Sequence, residues 1–417
     1  MADTAPNLPE PIFRRTLDLL VELTAISSPS NDPDGLHRMA YRLADELSAR
    51  GLTPEINHEE GEDGTPLPVL LGRGPGTADG HLLLIGHLDT VLPAAPPRVE
   101  GDRLVATGAI DMKGGLAAFL GALDLLRHRG VEPPADLLLA VVPDEEVGGV
   151  LSRAAVRRWS EAARAVWVLE PGEPAGHDPE TGETAETMVA GRRGMFQWRL
   201  DVRGRAAHSG LHYWQGRSAL VAAAGWCVEA EAHSARNGGP TVNVGRIVGG
   251  DTTFVEGLAT SHALLGTEQQ LNVVPDRARA EGEARFLRAA EGERIAGVLA
   301  TLARNIAVDT ETEIDLYIGP TIPPVDPDGP HAPWCNRAVA LAAARGWRLE
   351  VERERGGISF PNFLADPGRI PVLDGLGPVG GGMHTRDEHV ALASLERRIV
   401  LLADLLAASP GRSQPLK

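Results

Sequence analysis

Several side chains able to bind a metal or move a proton stand where a fold would gather them. His87 and Asp89 form a His-x-Asp pair just past the apolar run Leu82–Ile85. Asp144-Glu145-Glu146 follows the run Leu137–Val142, and Glu170 follows Val166–Leu169. Asp111 lies in the glycine-bearing turn Gly108-Ala-Ile-Asp111-Met-Lys-Gly114-Gly115, and His384 in Gly380-Gly-Gly-Met-His384-Thr. Taken singly, each has a blander explanation: an Asp at a strand end caps a helix, and a His after glycines sits in a solvated loop. Neighbouring carboxylates such as Glu145 and Glu146 repel one another unless a cation is present. Nitrogen and oxygen donors without sulfur are what a pair of borderline divalent metal ions takes.

The elements that must deliver these groups are readable from periodicity. The runs His81–Ile85, Asp136–Val142 and Ala165–Leu169 are unbroken and of strand length, as in the buried strands of a mostly parallel sheet. Leu36, Met39, Ala40, Leu43 and Leu47 recur at helical spacing, as do Leu116, Phe119, Leu120 and Leu123. Alternating strands and helices imply an α/β sheet flanked by helices, with ligands gathered at the carboxyl ends of its strands. Near Met188–Gly194 the texture changes. Phe196, Trp198, Leu200 and Val202 alternate with polar residues, and the following pattern, β-α-β-β-α-β, is ferredoxin-like. The expected organisation is a catalytic domain over 1–189 and 322–417, with an inserted α+β lid or dimerisation domain over 190–321.

The chain has 417 residues and a formal charge of −17. Such a field repels phosphate backbones and argues against a nucleic-acid partner. Cys227 and Cys335 are far apart and read as small buried hydrophobes, which excludes a disulfide scaffold and a thiolate metal site. No stretch approaches the roughly 18 apolar residues of a membrane span, and Met1–Glu10 lacks the apolar core of a signal peptide. A soluble cytoplasmic protein is expected, with a tail from Ser409 to Lys417 that lacks a packing pattern.

The blocks Gly86-His87-Leu88-Asp89-Thr90-Val91, Asp111-Met112-Lys113-Gly114-Gly115 and Asp144-Glu145-Glu146-Val147-Gly148 resemble the co-catalytic zinc peptidases and deacylases. That family includes aminoacylase, acetylornithine deacetylase, succinyl-diaminopimelate desuccinylase and carboxypeptidase G, and the resemblance is strongest to the glutamate carboxypeptidase branch. It implies that Asp111 bridges two zinc ions, with His87 and Glu170 on one and Glu146 and His384 on the other. Cobalt or manganese also suits such donors. Two metals about 3.5–4 Å apart would hold a water and acidify it to hydroxide. Glu145 would act as general base, and Asp89 would orient His87. The resemblance also implies a cis peptide at Asp111–Met112.

In the inserted domain the resemblance assigns His208 to oxyanion stabilisation, often across a homodimer, and Asn272 and Arg285 to substrate binding. Gly356 and Gly357 resemble a glycine turn that lets substrate approach the backbone. Arg192 and Arg193 read instead as basic surface residues at a domain hinge. Three features depart from the family pattern. Phe360, Pro361 and Asn362 stand where an acidic residue is common, Gly250–Gln270 is long, and position 170 is Glu rather than Asp. The expected activity is hydrolysis of the amide of a peptidyl or N-acyl amino acid. A deacylase, a specialised amide hydrolase or synthase, and a non-catalytic binding protein are the alternatives.

Overall fold

The computed structural model describes residues 8–61, 63–76, 80–177, 184–258 and 272–409. Two compact units form, one within Met1–Arg192 and Asp326–Lys417, the other Arg193–Val325. The second unit therefore starts three residues later and ends four residues later than the 190–321 read from texture.

The first unit is built on a six-stranded sheet. Its strands β1 (Thr53–Glu60), β2 (Pro66–Arg73), β3 (His81–His87), β4 (Leu137–Val142) and β5 (Ala163–Val168) are joined by the short strand Val372–Leu373. The spatial order is β1-β2-β4-β3-β5 and then Val372–Leu373. Strands β4, β3, β5 and Val372–Leu373 run parallel, whereas β1 and β2 form an antiparallel edge. Every residue of β3 and β4 is buried, as their unbroken apolar composition requires. The helices Pro33–Ala49, Lys113–His128 and Leu392–Ala407 contribute Leu36, Leu43, Phe119, Leu120, Ile399 and Leu402 to the same core.

The register places the chemistry. His87 pairs with Val142 and Ile85 with Val168, so β3, β4 and β5 end side by side with their following residues on one edge. A small antiparallel sheet links Arg98–Glu100, Arg103–Val105, His389–Ala391 and Gly380–Gly381. Its connections carry the other two groups, because Asp111 follows Arg103–Val105 and His384 lies between Gly380–Gly381 and His389–Ala391.

The second unit has an antiparallel sheet of β6 (Gly194–Arg203), β7 (Thr241–Gly250), β8 (Arg277–Phe286) and β9 (Glu313–Ile318), ordered β7-β8-β6-β9. With the helices Ala219–Glu231 and Ala289–Thr310 this is the ferredoxin-like arrangement. Phe196, Trp198, Leu200 and Val202 point into its core with Ala280, Ala284 and Phe286, and Trp198 meets Trp226 edge-on at 4.8 Å. After β7 comes a short helix, Thr252–Leu258. The rest of the long segment, from 259, lies outside the described residues, as does the tail from 410. No helix among the described residues is long and apolar enough to cross a membrane.

Candidate metal centre

Two glycines explain how Asp111 reaches the strand ends. The turn before the helix Lys113–His128 packs so closely that a Cβ on Gly115 would lie 2.0 Å from the Leu169 carbonyl oxygen. One on Gly114 would lie 2.3 Å from that of Ala109. Only glycine permits this approach. The Asp111–Met112 peptide is cis.

The site forms around Asp111. Its Oδ1 lies 3.1 Å from His87 Nε2, and its Oδ2 lies 3.1 Å from His384 Nε2. Glu146 Oε2 is 3.1 Å from His384 Nε2, and Glu170 Oε1 is 4.0 Å from His87 Nε2. By proximity, donor atoms of His87, Asp111 and Glu146 lie within 4.8 Å of one another, as do those of His87, Glu145 and Glu170. All the first-unit positions expected to serve the metals therefore converge. His87, Asp111 and Glu170 are buried, and His384 stands at the exposed edge with a left-handed backbone, φ +62°.

Asp89 contacts both the His87 ring and the turn that follows β4. His87 Nδ1 lies 2.9 Å from the Asp89 carbonyl oxygen and 3.3 Å from Oδ1, leaving Nε2 to face the cluster. The same carboxylate accepts the backbone N–H groups of Glu145 (3.2 Å) and Glu146 (3.0 Å), and the Ser30 hydroxyl at 2.7 Å. One buried residue thus holds an imidazole, chiefly through its carbonyl, and through its carboxylate the turn that carries both glutamates.

Burial and mutual charge set the protonation of this cluster. Burial, then the Asp111 charge, pushes Glu146 up to about 8. Burial also raises Glu145, and raises Glu170 well above the carboxylate range. The hydrogen bond to Asp111 lifts His384 to about 9. Burial opposes the charge of Asp111, but hydrogen bonds from His384 and His87 outweigh it and hold that carboxyl low. Crowded carboxylates with imidazole between them are the donor chemistry of divalent cations, and the residues fit such a pair.

Glu388 was not legible as a site residue. It is 3% exposed, and its carboxylate accepts N–H groups from Gly108 (2.8 Å), Ile110 (3.0 Å) and Asp111 (3.1 Å). It therefore ties the His384 turn to the Asp111 turn. Glu388→Ala strands three buried donors, and is expected to lower stability by about 2–4 kcal/mol and to weaken metal binding. Urea unfolding would measure the first and metal titration the second; a stability change below about 0.5 kcal/mol would rule the role out.

Arg192 corrects the surface reading. It is 5% exposed, its Nε donates to Asp374 at 2.5 Å, and its Nη1 donates to the Gly357 carbonyl at 3.0 Å. A run of two arginines looks solvated in sequence, but the partner Asp374 is distant along the chain. Arg193 belongs to the second unit and donates to the Gly239 carbonyl at 2.7 Å. Gly357 is thus held from behind, whereas a Cβ on Gly356 would meet nothing within 4 Å, and neither residue needs a left-handed backbone. Ser359 Oγ lies 3.3 Å from Glu170 Oε1.

In the second unit, Asn272 Nδ2 and His208 Nε2 lie 3.3 Å apart, and the Gly210 N–H donates to His208 Nδ1. Arg285 forms a fork with Glu283, through Nε at 2.7 Å and Nη2 at 3.3 Å. A cleft of about 1160 Å³ over this unit's sheet is lined by Arg199, Arg279 and Asp201 among others. Asp201 accepts from both arginines, through Oδ2 at 2.9 Å and Oδ1 at 2.6 Å.

The class of protein defined by this sheet and this donor set is matched by comparison with known proteins. Residues 83–408 match the model of Peptidase family M20/M25/M40, and the chain belongs to that family. It is a metallohydrolase. Among its relatives, carboxypeptidase G2 of Pseudomonas sp. (strain RS-16) is 26% identical over 406 residues, 95% of this chain and 89% of the relative. A succinyl-diaminopimelate desuccinylase of Granulibacter bethesdensis is 28% identical over 385 residues, 85% of this chain and 88% of the relative. The crystal structure of aminopeptidase PepT from Bacillus cereus shares the fold, with a TM-score of 0.74 at 19% identity, covering 95% of this chain and 99% of that one.

Proposed function

We propose that this chain hydrolyses the amide bond of a peptidyl or N-acyl amino acid, as a glutamate-carboxypeptidase-like enzyme with two zinc ions per subunit. The observation that carries the reading is that the two oxygens of Asp111 face different imidazoles, His87 and His384. Asp111 would bridge the metals, with Glu170 joining His87 and Glu146 joining His384. Bound there, the cations supply Lewis acidity toward the scissile carbonyl and an acidified water at neutral pH.

Glu145 acts on protons. Its carboxyl, raised by burial, takes one proton from the attacking water and returns one to the leaving amine. Asp89 holds His87 in the tautomer that keeps Nε2 toward the cluster, and fixes the Glu145 backbone. By family resemblance His208 stabilises the oxyanion and Asn272 and Arg285 bind substrate, and assembly as a homodimer through the second unit rests on the same ground.

The match to a desuccinylase supports a second reading, N-acyl amino acid deacylation at the same site. A panel of dipeptides and N-acyl amino acids, assayed after zinc reconstitution, decides between them. A common released amino acid across varied acyl groups supports the carboxypeptidase reading, and a common released acid supports the deacylase. If the zinc-loaded protein turns over no member of a broad panel, both fail.

A further inference from the structure

The chain passes between its two units twice, after Arg192 and after Val325. The first-unit ends of these crossings pack against one another. A Cβ on Gly191 would lie 2.1 Å from the Arg353 carbonyl oxygen and 2.9 Å from Pro327 Cβ. The Arg355 N–H donates to the Gly191 carbonyl at 2.9 Å, and the Arg353 guanidinium pairs with Asp328. Residues 326–329 close a turn in which the Gly329 N–H donates to the Asp326 carbonyl at 2.9 Å.

His331 lies under that turn. It is 1% exposed, and neither ring nitrogen makes a hydrogen bond. A Cβ on Gly329 would lie 2.8 Å from its Cε1, so the turn closes directly over the ring. His331 is also the N-cap of the helix Ala332–Ala344, where aligned peptide dipoles disfavour a positive charge. The charged groups that face it are Asp326 and Asp328 in the turn and Arg353 just past the strand Leu349–Glu352. One helical turn on is the Cys335 thiol, which burial pushes up to about 11. Burial lowers the imidazole below its ordinary value, and the Pro327 carbonyl and the Asp326 charge offset only part of this.

We propose that His331 is an acid-sensitive latch on the paired crossings: the neutral ring lets 326–331 pack shut, and a proton on it drives that turn open. An imidazolium has no place where the neutral ring sits. A buried charge without a partner is costly, and Asp328 is already engaged by Arg353. Opening carries the ring to water and releases the returning crossing to bend. The open form takes up the proton more readily than the closed one, so closure weakens as pH falls through about 6.5. The latch is independent of the metal centre and of the reaction assigned to it.

The test is hydrogen exchange of the full chain at pH 5.5, 6.5 and 7.5, with zinc and with chelator. Exchange is read by mass spectrometry and normalised to the intrinsic rate at each pH. Opening of 326–331 is expected to rise about tenfold from pH 7.5 to pH 5.5, while the helix Pro33–Ala49 changes little. His331→Phe keeps a ring that cannot titrate and should flatten the response. His331→Gln, smaller and uncharged, should do the same and serves if the first variant folds poorly. A wild-type segment that shows no rise, or a rise that the folded variant keeps, overturns the latch. So does a rise that Pro33–Ala49 shares equally, which marks general loosening. A rise seen with chelator but not with zinc places its cause at the metal centre and overturns it too.

Discussion

Glu145→Gln is expected to keep both metals and to lose about 10²–10⁴-fold in kcat, with KM little changed. The amide matches the carboxylate in shape, and the Asp89 contacts to the backbone of residues 145 and 146 do not depend on it. What vanishes is the ability to take a proton from water and return it to an amine. Burial raises the Glu145 carboxyl from its ordinary range toward the pH at which it would work, which is where a general base is most effective. The competing role is ligation, since Glu145 has a donor atom within 4.8 Å of those of His87 and Glu170. Metal analysis of the variant tells the two apart. A variant that drops a metal together with activity makes Glu145 a ligand, and one that keeps its turnover removes the residue from the chemistry.

The residues that could be read in the sequence were those whose neighbours in the chain share their location in the fold. β4, the Leu82–Ile85 stretch of β3 and the Ala165–Val168 stretch of β5 are unbroken apolar runs, so their ends could be placed, and with them His87, Glu145, Glu146 and Glu170. The ferredoxin-like unit was legible because β6 alternates strictly between Phe196 and Val202. The edge strand β1, Thr-Pro-Glu-Ile-Asn-His-Glu-Glu, carries almost no apolar signal, because its faces are largely exposed and its pairing with β2 supplies the order. The small sheet around His389–Ala391 consists of strands of two or three residues, too short for periodicity to register. Glu388 and Arg192 were missed for a different reason. Their partners, Gly108 to Asp111 in one case and Asp374 in the other, lie far along the chain. A buried charge looks like a surface charge until the group that neutralises it is known.

The increment in melting temperature that zinc confers is expected to grow by about 5–10 °C between pH 6 and pH 8. The sign follows from the cluster. Without metal, Glu146 titrates near 8, above its unfolded value, so the native state holds the extra proton and loses stability as pH rises through that window. His384, raised to about 9 by Asp111, is stabilising below its unfolded value and loses that contribution as pH climbs through the raised one. Asp111 is held low, so its contribution is already complete above the ordinary carboxylate range. Burial lowers the nearby Lys113 to about 7, which works in the opposite direction. Metal binding requires deprotonated ligands, so each displaced proton tightens it tenfold per pH unit, about 1.4 kcal/mol. One proton over two pH units is then about 2.8 kcal/mol, at about 2–4 °C per kcal/mol for a domain of 150–250 residues. Thermal melts at pH 6, 7 and 8 with chelator or with zinc would measure the increment, and calorimetry in buffers of different ionisation enthalpy would count the protons released. An increment that stays flat or shrinks with pH, or metal uptake with no proton release, would mean that Glu146 and His384 do not hold the metal.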